Sequence, residues 1–188
     1  MARKSAGVPA LARHLPLSGR NAAGPAVSIT PAAPATRLSL RAPAGSRAAL
    51  SKALGLALPA KPKTSASAAG RHALWLGPDE WLVIDETEAD LAAACASVTV
   101  LHSAVDVSHR NTAILVSGPG AEAVLSAGCP QDLSPASFPA GACSRTVFGK
   151  IEAVIFRSGE DAFRLEVWRS FSDYAFTLLA EAARDPVP

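Results

Sequence analysis

The stretch HALWLGPDEWLVI, residues 72–84, encodes a β-hairpin. Two apolar runs, 72–76 and 81–84, flank the tetrapeptide GPDE at 77–80. Glycine, proline and aspartate favour tight turns for separate physical reasons, and together they give a strong turn signal. We therefore predict two antiparallel strands joined by a turn at 77–80.

Elements on both sides of the hairpin complete a first half of the chain. The alternating stretch RLSLR at 37–41 predicts a half-buried strand, and apolar residues at helical spacing over 50–57 predict a helix. A linker rich in Pro, Lys, Ser and Ala then leads to the hairpin. After the hairpin, TEAD at 87–90 resembles a capping box before a second helix. The stretch 104–107 is predicted to be a strand.

A second half begins at residue 112 with the same kinds of element. TAILV at 112–116 predicts a strand, and the glycine-rich turn at 118–120 opens a helix that runs through Ala127. A last helix begins at Ser170. Between the two helices, strands are predicted at 143–148, 152–157 and 163–168.

The two halves resemble each other in the order of their elements and at three positions with a constant offset. These positions are Leu40, Gly45 and Leu50 in the first half and Leu115, Gly120 and Leu125 in the second. We predict an α+β fold, in which two similar halves of antiparallel sheet have helices packed on one face. A single domain of residues 37–185 is long enough for one well-buried core.

Residues 1–36 are predicted to form an N-terminal arm outside that domain. They are rich in Ala, Pro, Gly and Ser, and we find neither a helical nor a strand period in them. Pro25, Pro31 and Pro34 interrupt any helix. Several apolar residues make the segment unlike a purely solvated tail. We expect an extended arm that is flexible or lies over a partner or another part of the domain.

The composition excludes several classes of function. The formal net charge is +2, and only 18% of the residues are charged. The arginines are scattered, without the basic stripe and interleaved aromatics of a nucleic-acid binder. No run of 18 apolar residues exists, so no membrane-spanning helix is expected. The basic start lacks the apolar core and cleavage site of a signal peptide, and we expect a cytoplasmic protein.

The three cysteines, Cys95, Cys129 and Cys143, are expected to be reduced and buried. Their number is odd, they lie far apart, and no C-x-x-C pair occurs. Neither a disulfide framework nor a zinc site follows from such spacing. The histidines His14, His72 and His102 also lie apart, without the spacing of metal ligands. The sequence therefore predicts no bound metal.

The stretch DVSHRN at 106–111 invites a catalytic interpretation, because a carboxylate, a hydroxyl and an imidazole follow one another closely. On an extended strand, however, Asp106 and Ser108 share one side while His109 points the other way. A triad needs its nucleophile bonded to its base, which sequence neighbours rarely achieve. The glycine-rich turn at 117–120 lacks the lysine of a phosphate-binding loop. We predict no catalytic residue and favour turn and strand-end roles.

Three tryptophans are candidates for core or interface anchors. Trp75 and Trp81 lie on the two strands of the hairpin, and Trp168 ends a later strand. Strand positions favour the core, whereas aromatic residues are enriched among interface hot spots. Both interpretations stay open for Trp75, Trp81 and Trp168 at this point.

Several motifs resemble the aminomethyltransferase superfamily, also called the glycine-cleavage T-protein superfamily. They are DVSH at 106–109, ILVSGPG at 114–120 with Leu125, QDL at 131–133, and a strand-turn-strand pattern at 156–165. The chain departs from that superfamily where its catalytic region carries an aspartate pair, because residues 149–152 read GKIE. The chain is also about half the length of a full aminomethyltransferase.

Within this superfamily, the chain is similar to the sarcosine oxidase gamma subunit family. The similarity rests on LWLGPDEWLV at 74–83 and on Arg169-Ser170 followed by Tyr174, and it covers roughly residues 37–184. It implies a structural, non-catalytic subunit of a heterotetramer with alpha, beta and delta partners. The whole complex oxidatively demethylates sarcosine to glycine, using oxygen and tetrahydrofolate and yielding hydrogen peroxide.

The resemblance also implies where the cofactors lie. FAD, FMN, NAD and tetrahydrofolate are expected on the partner subunits and none on this chain. The chain would bury an apolar surface against a larger flavoprotein subunit, through the N-terminal arm and the Trp75–Trp81 hairpin. Obligate interfaces are large and hydrophobic, which suits a chain with few charges.

Three alternatives remain. The first is the matching subunit of N-methylglutamate dehydrogenase, which the sequence cannot separate because substrate choice would lie on the partner. The second is a stand-alone folate-binding protein of the same superfamily, with Asp106 or Glu152 as the candidate carboxylate facing the pterin. The third is a cytosolic interaction domain of another kind.

Overall fold

The computed structural model describes residues 15–185, which form eleven strands and four helices. The strands are β1 Ala22–Gly24, β2 Val27–Pro31, β3 Thr36–Arg41, β4 Ser65–Ala68, β5 Arg71–Gly77, β6 Glu80–Asp85, β7 Ser103–Asp106, β8 Asn111–Ser117, β9 Cys143–Phe148, β10 Ile151–Gly159 and β11 Ala162–Trp168. The helices are α1 Arg47–Leu54, α2 Leu91–Ala96, α3 Ala121–Ser126 and α4 Ser172–Ala182. Most of these elements lie where the sequence predicts them.

The strands form two antiparallel sheets, which we call sheet 1 and sheet 2. Sheet 1 has the order β4-β5-β6-β3-β7, and sheet 2 has the order β1-β2-β8-β11-β10-β9. Four strands of each sheet follow the same order, because β4-β5-β6-β3 corresponds to β9-β10-β11-β8. The next strand is exchanged between the halves. β7 directly precedes β8 but pairs with β3, and β2 directly precedes β3 but pairs with β8.

The sheets and helices stack in four layers, because three apolar clusters separate them. One cluster packs α1 and α2 on sheet 1 through residues such as Leu54, Trp81 and Leu91. A second packs α3 and α4 on the outer face of sheet 2. The third lies between the sheets and contains Leu74 of sheet 1 and Phe156 of sheet 2 among other apolar side chains. Each sheet thus carries helices on one face, which confirms the predicted α+β fold.

Buried charges also lie between the sheets. Arg37 on β3 donates from Nε to Glu166 Oε2 on β11 at 2.7 Å, and Arg164 Nε donates to Glu166 Oε1 at 2.8 Å. Arg164 Nη1 reaches Glu86 Oε1 at 2.7 Å. Arg37, Arg164 and Glu166 are each at most 3% exposed. Two cations alternating with two carboxylates offset the cost of removing these charges from water.

The expectation that residues 1–36 contain no strand is wrong for β1 and β2. Ile29 is fully buried, and β2 pairs with β8 through Ser28↔Ser117 and Ile29↔Val116. A boundary at residue 36 would therefore cut through sheet 2 and its core. The alternation Val27-Ser28-Ile29-Thr30 is the signal that could have identified this strand. Whether the N-terminal region also contacts a partner stays a prediction.

Two smaller predictions are also corrected. The predicted capping box at 87–90 is wrong, because α2 begins later and its N-cap is Asp90, whose Oδ1 accepts from Ala93 N at 2.8 Å. Thr87 instead donates its hydroxyl to Asp85 Oδ1 at 2.6 Å. The last helix begins at Ser172 after a 3-10 turn at Arg169–Phe171, rather than at Ser170.

Candidate functional site

A cleft of about 230 Å³ opens between the two sheets. Sheet 2 contributes Glu152, Glu166 and Trp168, and sheet 1 contributes Ser39 and Leu82. The pairing of Ala153 with Val167 places Glu152 beside Trp168 at the next position of the register. Since alternate residues of a strand share one face, Glu152, Glu166 and Trp168 all point toward sheet 1.

Charged side chains of both signs line this cleft. Arg145 forms an ion pair with Glu80, which joins β9 to the end of the β5–β6 hairpin. The guanidinium of Arg110 lies 5.2 Å from the ring centre of Trp168, and its Nε donates to Asn111 Oδ1 at 3.2 Å. Glu166 is neutralised by the two arginines behind it. Trp168 therefore lines one side of the cleft, and the positive and negative charges of the lining side chains nearly cancel.

The two candidate pterin carboxylates lie in different places. Glu152 is exposed and lines the cleft, without an ion pair in the described part of the chain. Asp106 lies at the end of β7, where its Oδ1 accepts from Ser108 N at 2.7 Å. It lines a separate groove with Glu88 and Thr36. The structure thus does not bring Asp106 and Glu152 into one site.

The stretch 106–111 holds strands together instead of forming a triad. The hydroxyl of Ser108 accepts from the backbone N–H of Arg37 at 2.8 Å, and Val107 N donates to Arg37 O at 2.8 Å. His109 is exposed and lines a small groove with Leu15. The polar residues of this motif therefore fasten β3 to the turn that enters β8.

The glycine-rich turn at 117–120 serves a close backbone approach. Gly118 has a φ of 114°, and a Cβ there would lie 2.5 Å from the carbonyl oxygen of Ala26. Gly120 N donates to the same oxygen at 2.9 Å. Only glycine fits such a contact, so the turn after β8 holds the β1–β2 hairpin beside the end of that strand.

The three tryptophans have different environments. Trp81 is 1% exposed, packs in the core of sheet 1 and donates its Nε1–H to Pro59 O at 2.8 Å. Trp75 pairs with it across the hairpin and is half-buried. Trp168 is 39% exposed. A partner that binds the folded chain can therefore contact Trp168, whereas Trp81 is enclosed in the core of sheet 1.

The cysteines Cys95, Cys129 and Cys143 are free and buried, as expected. Burial raises the pKa of the Cys143 thiol to about 12, against a smaller opposing effect of a hydrogen bond with the Trp75 backbone. Burial also raises the pKa of Cys95. Within residues 15–185, no group of three or more His, Cys, Asp or Glu side chains is placed to hold a metal ion.

Several residues that shape this region are not predicted from the sequence. Arg110 and Arg145 line the cleft, and the charges between the sheets were not anticipated. A signal for the latter existed in the FRLEVW stretch of β11, where Arg164 and Glu166 alternate with apolar residues that face the helices. The opposite charges of Arg164 and Glu166 on one face fit a buried pair, but the same alternation is typical of a half-exposed strand, so the sequence does not show that this face is covered.

Comparisons with known proteins decide the family. A family model described as the sarcosine oxidase, gamma subunit family matches residues 40–185, which is most of the chain. The chain belongs to this family. A sarcosine oxidase subunit gamma from Corynebacterium sp. (strain P-1) is 34% identical over 162 residues, which cover 81% of this chain and 80% of the relative.

Solved structures agree with this membership. A chain of the heterotetrameric sarcosine oxidase from Corynebacterium sp. U-96, in complex with pyrrole 2-carboxylate, superposes with a TM-score of 0.81 at 31% identity, covering 89% of this chain and 91% of that chain. The glycine cleavage system aminomethyltransferase T from Bartonella henselae superposes with a TM-score of 0.62 at 15% identity. That match covers 87% of this gamma-family chain and 48% of the aminomethyltransferase, and it shows a shared fold.

None of the four described helices has the length and apolar content that crossing a membrane requires.

Proposed function

We propose that this chain is the gamma subunit of a heterotetrameric sarcosine oxidase and that it contributes structure rather than chemistry. The observation that carries the proposal is the superposition on a chain of the heterotetrameric enzyme over nearly the full length of both chains. Family membership over residues 40–185 supports it. The whole complex would oxidatively demethylate sarcosine to glycine.

The environment of the polar residues supports a non-catalytic role. The Ser108 hydroxyl is bonded to the backbone of Arg37, and Glu166 is paired with two arginines. Asp85 accepts bonds from Thr87, Ala89 and Arg71. The hydrogen bonds and ion pairs of these groups are all made within the chain and stabilise the fold. They are therefore poor candidates for a general acid, a general base or a nucleophile.

Tetrahydrofolate, which the fold family suggests as a ligand, finds little support in the cavities of the described chain. The cleft between the sheets, at about 230 Å³, is smaller than the roughly 300–1,000 Å³ of small-molecule pockets, and a larger open groove of about 400 Å³ beside Pro43 contains neither candidate carboxylate. Asp106 and Glu152, the two candidate carboxylates, line different cavities. Following the family resemblance, we propose that FAD, FMN, NAD and tetrahydrofolate lie on the alpha, beta and delta partner subunits. We also place the complex in the cytoplasm, which three free, buried cysteines support.

Co-expression with the alpha, beta and delta subunits tests the proposal. The tagged chain should recover a stoichiometric complex with a flavin spectrum and sarcosine-dependent peroxide production, whereas the chain alone should be colourless. Oxidation of N-methylglutamate in place of sarcosine would identify the alternative dehydrogenase. A stable monomer that captures no partner would contradict the subunit assignment, and saturable tetrahydrofolate binding by that monomer would establish the stand-alone alternative.

A further inference from the structure

All three exposed aromatic residues of the described chain lie within seven positions. Trp168, Phe171 and Tyr174 are 39%, 39% and 40% exposed, whereas the other seven aromatic residues are buried or half-buried. The rings of Trp168 and Phe171 stack with centres 5.9 Å apart and planes 19° apart. Tyr174 follows Phe171 by three positions, which places them together on the surface. We call these three residues the aromatic strip.

Neighbouring residues hold the aromatic strip in place. Arg110 stacks on Trp168, as described above, and the hydroxyl of Tyr174 accepts from Lys150 N at 3.2 Å. Gly149 has a φ of 58°, and a Cβ there would collide with the Tyr174 hydroxyl. Side chains fixed before binding lose less entropy when a partner orders them. The strip is therefore a preorganised surface rather than a set of loose side chains.

The charged residues around the strip that form no ion pair among the described residues carry a small net positive charge. Within residues 15–185, Arg110, Lys150 and Glu152 form no ion pair, which gives two cations and one carboxylate around the three rings. Such a surface is complementary to an apolar patch flanked by carboxylates. Scattered nucleic-acid phosphates would demand a broader basic surface than this one.

We propose that the aromatic strip is the anchor by which this chain binds a larger flavoprotein subunit, through an apolar pocket rimmed by acidic residues on that subunit. The inference rests on the proposed function and names the surface that carries it. Another exposed apolar surface, Leu101 and Val105 at the open edge of β7, is aliphatic. Trp and Tyr are enriched among interface hot spots and Leu and Val are under-represented, so the strip is the stronger candidate.

Affinity measurements on the co-expressed complex test the strip. The variants Trp168→Ser and Phe171→Ser should each weaken binding of the chain to the partner subunits by about tenfold or more, as hot-spot truncations do. Leu101→Ser, which removes an even more exposed apolar side chain at 77% exposure, is the matched control and should bind like wild type. Thermal unfolding of each free variant checks that its fold is retained.

A charge variant supplies a second readout. Lys150→Glu should slow association with the partner at low ionic strength, and the difference should shrink at high salt because exposed charges are screened. Wild-type binding of both aromatic variants, or loss of binding in Leu101→Ser alone, overturns the strip as the anchor while leaving the subunit assignment intact. A wild-type chain that captures no partner overturns the assignment itself. Self-association of the chain that the aromatic variants abolish would show a second copy as the occupant, which also overturns the proposal.

Discussion

Arg37 on β3 and Glu166 on β11 join the two sheets through a bond of 2.7 Å from Nε to Oε2, with their side chains 4% and 1% exposed. Glu166 also accepts from Arg164, so one carboxylate pairs with two buried guanidinium groups, and Glu86 pairs with the second of them. The two residues lie on strands of different sheets and are 129 positions apart in the sequence. This carboxylate is consequently a main determinant of how the two halves dock.

Glu166→Gln should destabilise the protein strongly. The amide is nearly isosteric, but it leaves Arg37 buried without a compensating charge, and Arg164 is left with the half-exposed Glu86 as its carboxylate partner. Breaking a buried pair in this way costs about 3–5 kcal/mol. Urea unfolding of the purified chain measures the loss. Asp79→Asn is the control, because it breaks the exposed Arg41–Asp79 pair, where a loss of about 0–1 kcal/mol is expected. Equal effects of the two variants would contradict the role of the buried pair.

Much of the fold could be predicted from the sequence, for local reasons. The β5–β6 hairpin, β3 and β9 carry turn residues and alternation that encode their structure within a few positions. The exchange of β2 and β7 between sheets could not be predicted in this way, since it depends on pairing between distant strands. The same limit applies to the cleft. Arg110, Arg145 and Trp168 line it together but lie far apart in the sequence, so no local pattern predicts that they meet.

Asp85 should make the protein sensitive to acid. Burial raises the pKa of its carboxyl, but hydrogen bonds from Thr87, Ala89 and Arg71 outweigh burial and hold the pKa at about 2, below its ordinary 3.8. The folded state therefore binds this proton less readily than the unfolded chain. The resulting stabilisation, about 2 kcal/mol, is complete above pH 4 and is lost as the pH falls toward 2.

Asp85→Asn tests this pH dependence. The variant should be less stable than wild type at pH 6, and the difference should narrow between pH 4 and pH 2, as followed by urea unfolding at each pH. Asp161→Asn removes an exposed carboxylate in the β10–β11 turn and should keep the wild-type pH profile. A difference between wild type and Asp85→Asn that stays constant down to pH 2 would refute the assignment.

Gly128 after α3 should not tolerate a side chain. A Cβ at this position would lie 2.6 Å from Cε2 of Phe148, a fully buried ring. Gly128→Ala should therefore cost about 1–3 kcal/mol, as overpacking of a core does. Gly45→Ala is the control, because a Cβ there would meet nothing within 4 Å. Urea unfolding of both variants measures the change in stability. An unchanged unfolding midpoint for Gly128→Ala would show that the Phe148 ring can move to make room for the methyl group.

Cys143 should be unreactive in the folded protein. Its thiol is fully buried and contacts the carbonyl oxygen of Thr64 at 3.2 Å, and burial raises its pKa to about 12. Because the thiolate is the reactive form, alkylation at pH 8 should be slow for the native chain and fast in denaturant. Mass spectrometry of the alkylated peptides measures both rates. Rapid native labelling of Cys143 would mean that the contact between β9 and the loop before β4 opens readily.

Ile29 on β2 should be as important to stability as any residue of the central strands, although it lies in a segment that the sequence suggests is an arm. Its side chain is fully buried in the cluster between sheet 2 and α4, beside Val116 on β8. Ile29→Ala should destabilise the chain by about 2–5 kcal/mol, because truncation leaves a cavity in a close-packed core. Leu15→Ala, at 42% exposure, is the matched control and should shift stability by about 0.5 kcal/mol or less. If Ile29→Ala unfolds at the wild-type urea concentration, β2 adds little to the fold, and the N-terminal region is then free to serve the partner contact that the sequence suggests.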